Sequence, residues 1–114
     1  MRIFRGLALM LIVAGTIAYA APLTFAAKKP DGKTIFSEKC SMCHGNTGKG
    51  YPAIKTPNFT DPKWQAAHTD KELLSAIENG VPGTAMVSFK GKLTPQQMKA
   101  VLQYIRSFGA KKEK

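Results

Sequence analysis

The chain has only two cysteines, and both fall in one short stretch, Cys40-Ser41-Met42-Cys43-His44. A disulfide scaffold is excluded, because two thiols close at most one internal bridge. That bridge would span too short a loop to constrain the unfolded chain much. Yet a chain of 114 residues, part of which reads as a targeting segment, buries a modest core. Such chains often depend on a disulfide, a metal or a cofactor as a staple. The role of the two thiols and the adjoining imidazole therefore decides what the chain can fold around.

Arg2 and Arg5 precede an uncharged run from Gly6 to Ala27. A positive start followed by an apolar stretch is the layout of a secretory signal. Cleavage is expected after Ala18-Tyr19-Ala20, with Thr24-Phe25-Ala26 as the second site. The run is also long enough to cross a bilayer, so an uncleaved anchor is the alternative; Pro22 and the small-residue tail weigh against it. The expected organisation is a signal over 1–20 (or to 26), a linker over 21–30, a folded domain over 31–109 and a charged tail over 110–114. On either reading the domain is exported, to the periplasm or to the outer face of the inner membrane. The formal charge is +10, and +8 remains once Arg2 and Arg5 leave with the signal. Such a surface suits acidic proteins or anionic membranes, and nucleic acid is not a natural partner outside the cell. Lysines also keep a small domain soluble without any partner.

The periodicity is helical throughout, with no strand alternation. Ile35 and Phe36 precede Cys40 on one helical face, which predicts a helix from about Asp31 to Ser41. Residues 45–62 are rich in Gly, Pro, Asn and Thr and read as a loop, long enough to need something to pack on. Thr69 with Glu72 forms a capping box, Leu73, Leu74 and Ile77 give one apolar face, and Gly80 and Pro82 stop the helix. A second irregular stretch runs from Val81 to Lys92. Then Thr94 caps a helix with Pro95 at its first position and Gln97 closing the box. Met98, Val101, Leu102, Ile105 and Phe108 form its stripe, and Gly109 marks the expected stop. The class is all-α, with three or more helices and long loops.

Four chemistries compete for the thiols. A structural zinc site wants four ligands, usually as two pairs, and the second pair is missing; His68 stands alone. A thioredoxin-like couple expects a βαβ setting, for which there are no strands. A disulfide between Cys40 and Cys43 leaves His44 unexplained. C-x-x-C-H, however, is the attachment signature of c-type haem, and it accounts for every residue. Two thiols add across the porphyrin vinyls, one turn of chain spans them, and the next residue's imidazole lies under the iron. A buried porphyrin also supplies the missing apolar volume. The loops would then wrap it, packing Tyr51, Phe59, Trp64, Val87 and Phe89 against its faces.

A six-coordinate iron needs a second axial group. Met42 lies inside the attachment turn, and Met98 falls on the apolar stripe of the last helix. His68, at the start of a capped helix, reads as a surface residue. Met86 sits in a loop between helices, with Gly83 and Ala85 leaving room for close approach, and is the expected ligand.

The segments KTIFSEKCSMCHG (33–45) and NGVPGTAMVSFKGKLTPQQMKAVLQYIRSF (79–108) resemble the small monohaem class I c-type cytochromes. The resemblance covers about 31–108 and implies a cytochrome c-like fold around one covalent haem c with its iron. It implies iron ligation by His44 and Met86, and thioethers from Cys40 and Cys43. By the same resemblance, Gly32, Phe36 and Tyr104 mark the crossing of the first and last helices. The Pro57 carbonyl, or that of Pro52, accepts the His44 imidazole N–H, and Trp64 bonds a haem propionate. Val87 stands where many relatives place a proline after the methionine.

With both axial positions filled, no open site remains for substrate. The expectation is thus a monomeric electron carrier, not an enzyme. Its partners would be acidic redox proteins, including membrane-bound oxidoreductases, steered by Lys39, Lys49, Lys55, Lys90 and Lys92. The alternatives are a membrane-anchored haem subunit of a larger oxidoreductase, or a ligand-binding or peroxidase-like protein with labile Met86.

Overall fold

The structure, a computed structural model, describes residues 14–25 and 28–110. Most of the expected signal or anchor therefore lies outside the described residues, as do the Ala26 junction and the tail beyond Ala110. Residues 14–25 are exposed and carry no regular secondary structure. No helix among the described residues is long and apolar enough to cross a membrane.

The domain is helical, in the order α1 (Gly32–Lys39), α2 (Ser41–His44), a 3-10 turn (Pro52–Ile54), α3 (Pro62–Ala67), α4 (Asp70–Asn79) and α5 (Pro95–Ala110). Asp31 starts α1: its carboxylate accepts from the Lys33 amide at 3.1 Å and from the Thr34 hydroxyl at 2.6 Å. The expected single helix over 31–41 breaks at Cys40, whose backbone leaves helical geometry (φ −121°, ψ −32°). The break re-aims the following turn, α2, so that Cys43 and His44 do not simply continue the α1 spiral.

Both capping boxes form as their spacing demands. Thr69 Oγ1 accepts from the Glu72 amide at 3.2 Å while Glu72 Oε2 accepts from the Thr69 amide at 3.1 Å. Thr94 and Gln97 make the same exchange at the head of α5, at 3.2 and 2.8 Å. Met98, Val101, Leu102, Ile105 and Phe108 are all buried along α5, and Ile77 is buried on α4.

The centre of the fold is the crossing of α1 over α5. A Cβ on Gly32 would overlap the Ala100 carbonyl oxygen, so only glycine lets the backbones come this close. Phe36, 1 % exposed, fills the crossing, with its ring 5.4 Å from Tyr104 and 5.2 Å from Phe108. Such tilted and edge contacts are the favourable aromatic geometries.

Two elements depart from the sequence expectation. Helix α3 emerges from what reads as featureless chain, although Asp61 caps it by accepting from the Lys63 amide at 2.9 Å and Pro62 takes its first position. Six residues are too few to show a period. Gly109 does not stop α5, which runs on to Ala110. It serves the packing instead: a Cβ there would lie 2.5 Å from Gln65 Cγ, so the gap lets the Gln65 side chain cross the helix.

Candidate functional site

The turn of α2 brings the chemistry together. The His44 and Cys43 amides donate to the Cys40 carbonyl at 2.9 and 3.2 Å. These bonds gather Cys40, at the N-cap of α2, with Cys43 and His44, three and four residues on, into one turn. Both cysteines are free; Cys40 is half-buried and Cys43 exposed. Burial pushes the Cys40 thiol up to about 11. Burial also lowers the His44 imidazole below its usual range, which favours the neutral ring with a lone pair available to a metal.

The loop after His44 folds back on it. The Gly50 amide donates to the His44 carbonyl at 2.9 Å, and the Phe59 amide donates to the Gly48 carbonyl at 2.7 Å. This places the buried Phe59 ring flat against the imidazole, centroids 4.8 Å apart and planes 20° apart. Trp64, half-buried on α3, packs at a tilt against Phe59, with ring centroids 5.0 Å apart, and its ring lies 4.6 Å from that of His68. His68 is thus not a plain surface residue; its Nδ1 also lies 3.6 Å from Glu72.

The hydrogen bond expected between His44 and the Pro57 carbonyl is not formed. His44 Nδ1 is buried and has no hydrogen-bond partner, and the ring packs face-on to Phe59. Pro57 is half-buried in the same loop. Of the apolar residues expected to pack on a cofactor, Phe59 and Phe89 are buried, while Tyr51 and Val87 are exposed.

The three candidate methionines separate cleanly. Met42 is 89 % exposed on the attachment turn and Met98 is sealed in the core. Met86 is half-buried and packs against the core cluster. Its loop is tied down on both sides. The Val81 amide donates to the Met86 carbonyl, and the Met86 amide donates to the Thr84 hydroxyl, each at 3.2 Å. The Phe89 amide reaches the Ile77 carbonyl at 3.0 Å, and the Ser88 hydroxyl reaches the Glu78 carbonyl at 2.6 Å.

Sequence reasoning gave no hint of Gln65 and Arg106. The Arg106 guanidinium donates to Asp70 Oδ1, to the Gln65 carbonyl and to Gln65 Oε1, each at 2.8 Å, and to the His68 carbonyl at 2.6 Å. No local pattern links residues so far apart in the chain.

The family model for cytochrome c matches residues 30–109. The chain belongs to the cytochrome c family. Among curated proteins it is 38% identical over 81 residues to a cbb3-type cytochrome c oxidase subunit FixP from Bradyrhizobium sp. (strain ORS 278), covering 71% of this chain and 28% of that subunit. The chain thus spans little more than a quarter of such relatives. It is also 31% identical over 99 residues to cytochrome c6 from Nostoc sp., covering 87% of this chain and 86% of that protein. Among solved structures, the KustC0563 c-type cytochrome superposes with a TM-score of 0.64 at 33% identity, over 68% of this chain and 96% of that one. Family membership implies a covalently bound haem c with its iron. The site fits that group: two unpaired thiols and an imidazole share one turn, and the imidazole carries a buried nitrogen that no other protein atom satisfies.

Proposed function

We propose that this cytochrome c is a single-electron carrier whose haem would be held through the sulfurs of Cys40 and Cys43, with His44 and Met86 as the side chains that would bind its iron. The observation that carries the reading is the single turn that brings together two free thiols and a half-buried imidazole. The bound haem supplies a one-electron iron couple. The protein's part is to hold the ring so that it is not lost between encounters, to fill both axial positions, and to exclude substrates from the iron. A thioether opposite an imidazole favours the reduced state relative to two imidazoles. Trp64, packed against Phe59, is the proposed donor to a propionate.

The test is an intact mass and visible spectrum of the protein exported from a host able to attach haem. One haem's added mass and a cytochrome c spectrum are expected. A colourless chain weighing only its amino acids would end the reading.

Lys39, Lys49, Lys55, Lys90 and Lys92 are exposed on or beside the two loops. We place acidic redox proteins as partners, met by electrostatic steering as a monomer in the periplasm. The electron-transfer rate should then fall steeply as salt is raised toward physiological strength, where the Debye length is about 8 Å; a salt-independent rate removes the steering role. The FixP similarity favours a second reading, in which the domain is the haem-bearing part of a membrane oxidoreductase. Recovery of the haem chain in washed membranes, with residues 1–20 retained by mass, would select it over the soluble carrier.

A further inference from the structure

Met86 carries the proposed axial role, yet its loop has little apolar anchorage. From Val81 to Ser88 every residue is exposed except Met86 and Ser88, which are half-buried. Gly83, in mid-loop, has a positive φ of 76°. Burial of side chains therefore does not fix this stretch, and polar bonds must.

The C-terminal end of α4 supplies them. The last carbonyls of a helix have no partner within it. Here the Phe89 amide donates to the Ile77 carbonyl at 3.0 Å, and the Lys90 amide donates to the Glu78 carbonyl at 3.1 Å. The Ser88 hydroxyl donates to that same Glu78 carbonyl at 2.6 Å. Its oxygen also accepts from the Lys90 amide at 3.2 Å. The approach is close: a Cβ on Gly80, the residue that ends α4, would lie 2.7 Å from the Met86 carbonyl oxygen and 3.0 Å from the Ser88 nitrogen.

The two limbs of the loop are fastened differently. Before Met86 the bonds stay inside the loop. The Thr84 hydroxyl joins the Val81 carbonyl to the Met86 amide, and the Val81 amide returns to the Met86 carbonyl. That limb is closed on itself rather than on α4. After Met86, Val87 is 55 % exposed, and the Ser88 hydroxyl is the first group to reach the helix. With that hydroxyl the untethered chain beyond the methionine is one residue, Val87. Without it the tether begins at the Phe89 amide, three residues from Met86. A shorter free segment leaves fewer conformations to lose when the sulfur is held in one place.

We propose that Ser88 is a positioning residue for Met86: its hydroxyl bond to the end of α4 holds the methionine in its axial role. This rests on the electron-carrier reading above. It predicts that removing the hydroxyl frees Met86 from the iron more often, without loosening the rest of the domain to the same degree.

The test compares the haem-loaded parent with Ser88→Ala and with Ser88→Thr, which restores a hydroxyl. Thr69→Ala is the control, because it weakens α4 from its other end and leaves the strap untouched. Three quantities are read: the rate at which the ferrous protein takes up carbon monoxide, the temperature at which the ferric protein loses its long-wavelength sulfur-to-iron absorption, and the global melt by far-ultraviolet circular dichroism. In Ser88→Ala, carbon monoxide uptake should rise about fivefold, the effect of one hydrogen bond on an opening equilibrium. The long-wavelength absorption should vanish well before the global melt. Ser88→Thr should return both to parental behaviour. Thr69→Ala should melt earlier as a whole, with uptake unchanged. Parental uptake in Ser88→Ala, or an equal rise in Thr69→Ala, would overturn the proposal and leave the Ser88 bond purely structural. A parent that lacks the long-wavelength absorption would instead defeat the axial role of Met86, and a parent without haem would defeat the electron-carrier reading itself.

Discussion

Met86→Ala should yield a protein that still carries its haem but no longer behaves as a closed electron carrier. Cys40, Cys43 and His44 are untouched by the change, so attachment proceeds. The ferric protein should lose the long-wavelength sulfur-to-iron absorption, and the ferrous protein should bind carbon monoxide at neutral pH. The reduction potential should fall by on the order of 0.2 V, a fraction of the roughly 0.8 V over which axial ligands set haem potentials. Neither of the other two described methionines can take over. Met98 is locked in the core, and Met42 projects into solvent from the attachment turn itself. The loop is also built to hold Met86 in place without a proline after it. Thr84 donates its hydroxyl to the Val81 carbonyl at 2.7 Å and accepts from the Met86 amide, closing a tight turn around the residue. Ordering the loop in advance reduces the entropy lost when the sulfur is bound. A Met86→Ala protein with parental spectrum and potential would place the sixth ligand elsewhere. A parent that already binds carbon monoxide would favour the ligand-binding or peroxidase-like alternative.

Gly32→Ala should destabilise the fold more than any other single-methyl addition in the domain. Alanine is ordinarily the better helix former, by about 1 kcal/mol. Here the new methyl would overlap the Ala100 carbonyl oxygen and lie 2.6 Å from its carbon, with Tyr104 Cβ at 3.2 Å. The first two are backbone atoms of α5 and cannot rotate away. The helices must move apart, and Phe36 loses its contacts with Tyr104 and Phe108. Overpacking of this kind costs about 1–3 kcal/mol, with backbone obstacles at the upper end. Against the roughly 5–15 kcal/mol that holds a small domain together, that is a large share. A loss of about 3 kcal/mol lowers the melting temperature by roughly 12–24 °C in a domain of this size. Thermal unfolding followed by far-ultraviolet circular dichroism checks it. A melt equal to the parent's would mean that α1 and α5 do not cross at Gly32 in solution.

Much of this was open to inspection in the linear chain. Thr69 with Glu72 and Thr94 with Gln97 set two helix starts through bonds between residues three apart. The stripe from Met98 to Phe108 determined which face of α5 is buried, because the spacing of apolar residues and the pitch of a helix are both local quantities. The Cys40–His44 stretch likewise carried its chemistry in its spacing, since one turn of helix is enough to align it. Short-range geometry is the same wherever the segment ends up, and so a sequence can specify it alone.

The tertiary structure decided what depends on separate segments meeting. Helix α3 is too short to announce itself by period, and it is held by Arg106 from the far end of the chain. Gly109 reads as a helix stop until Gln65 is seen lying across it. The His44 ring stacks on Phe59, whose carbonyl is tied to α5 through Gln65. None of these residues is marked by its neighbours in sequence. Each acquires its role from side chains about forty positions away, and only folding sets them within bonding distance.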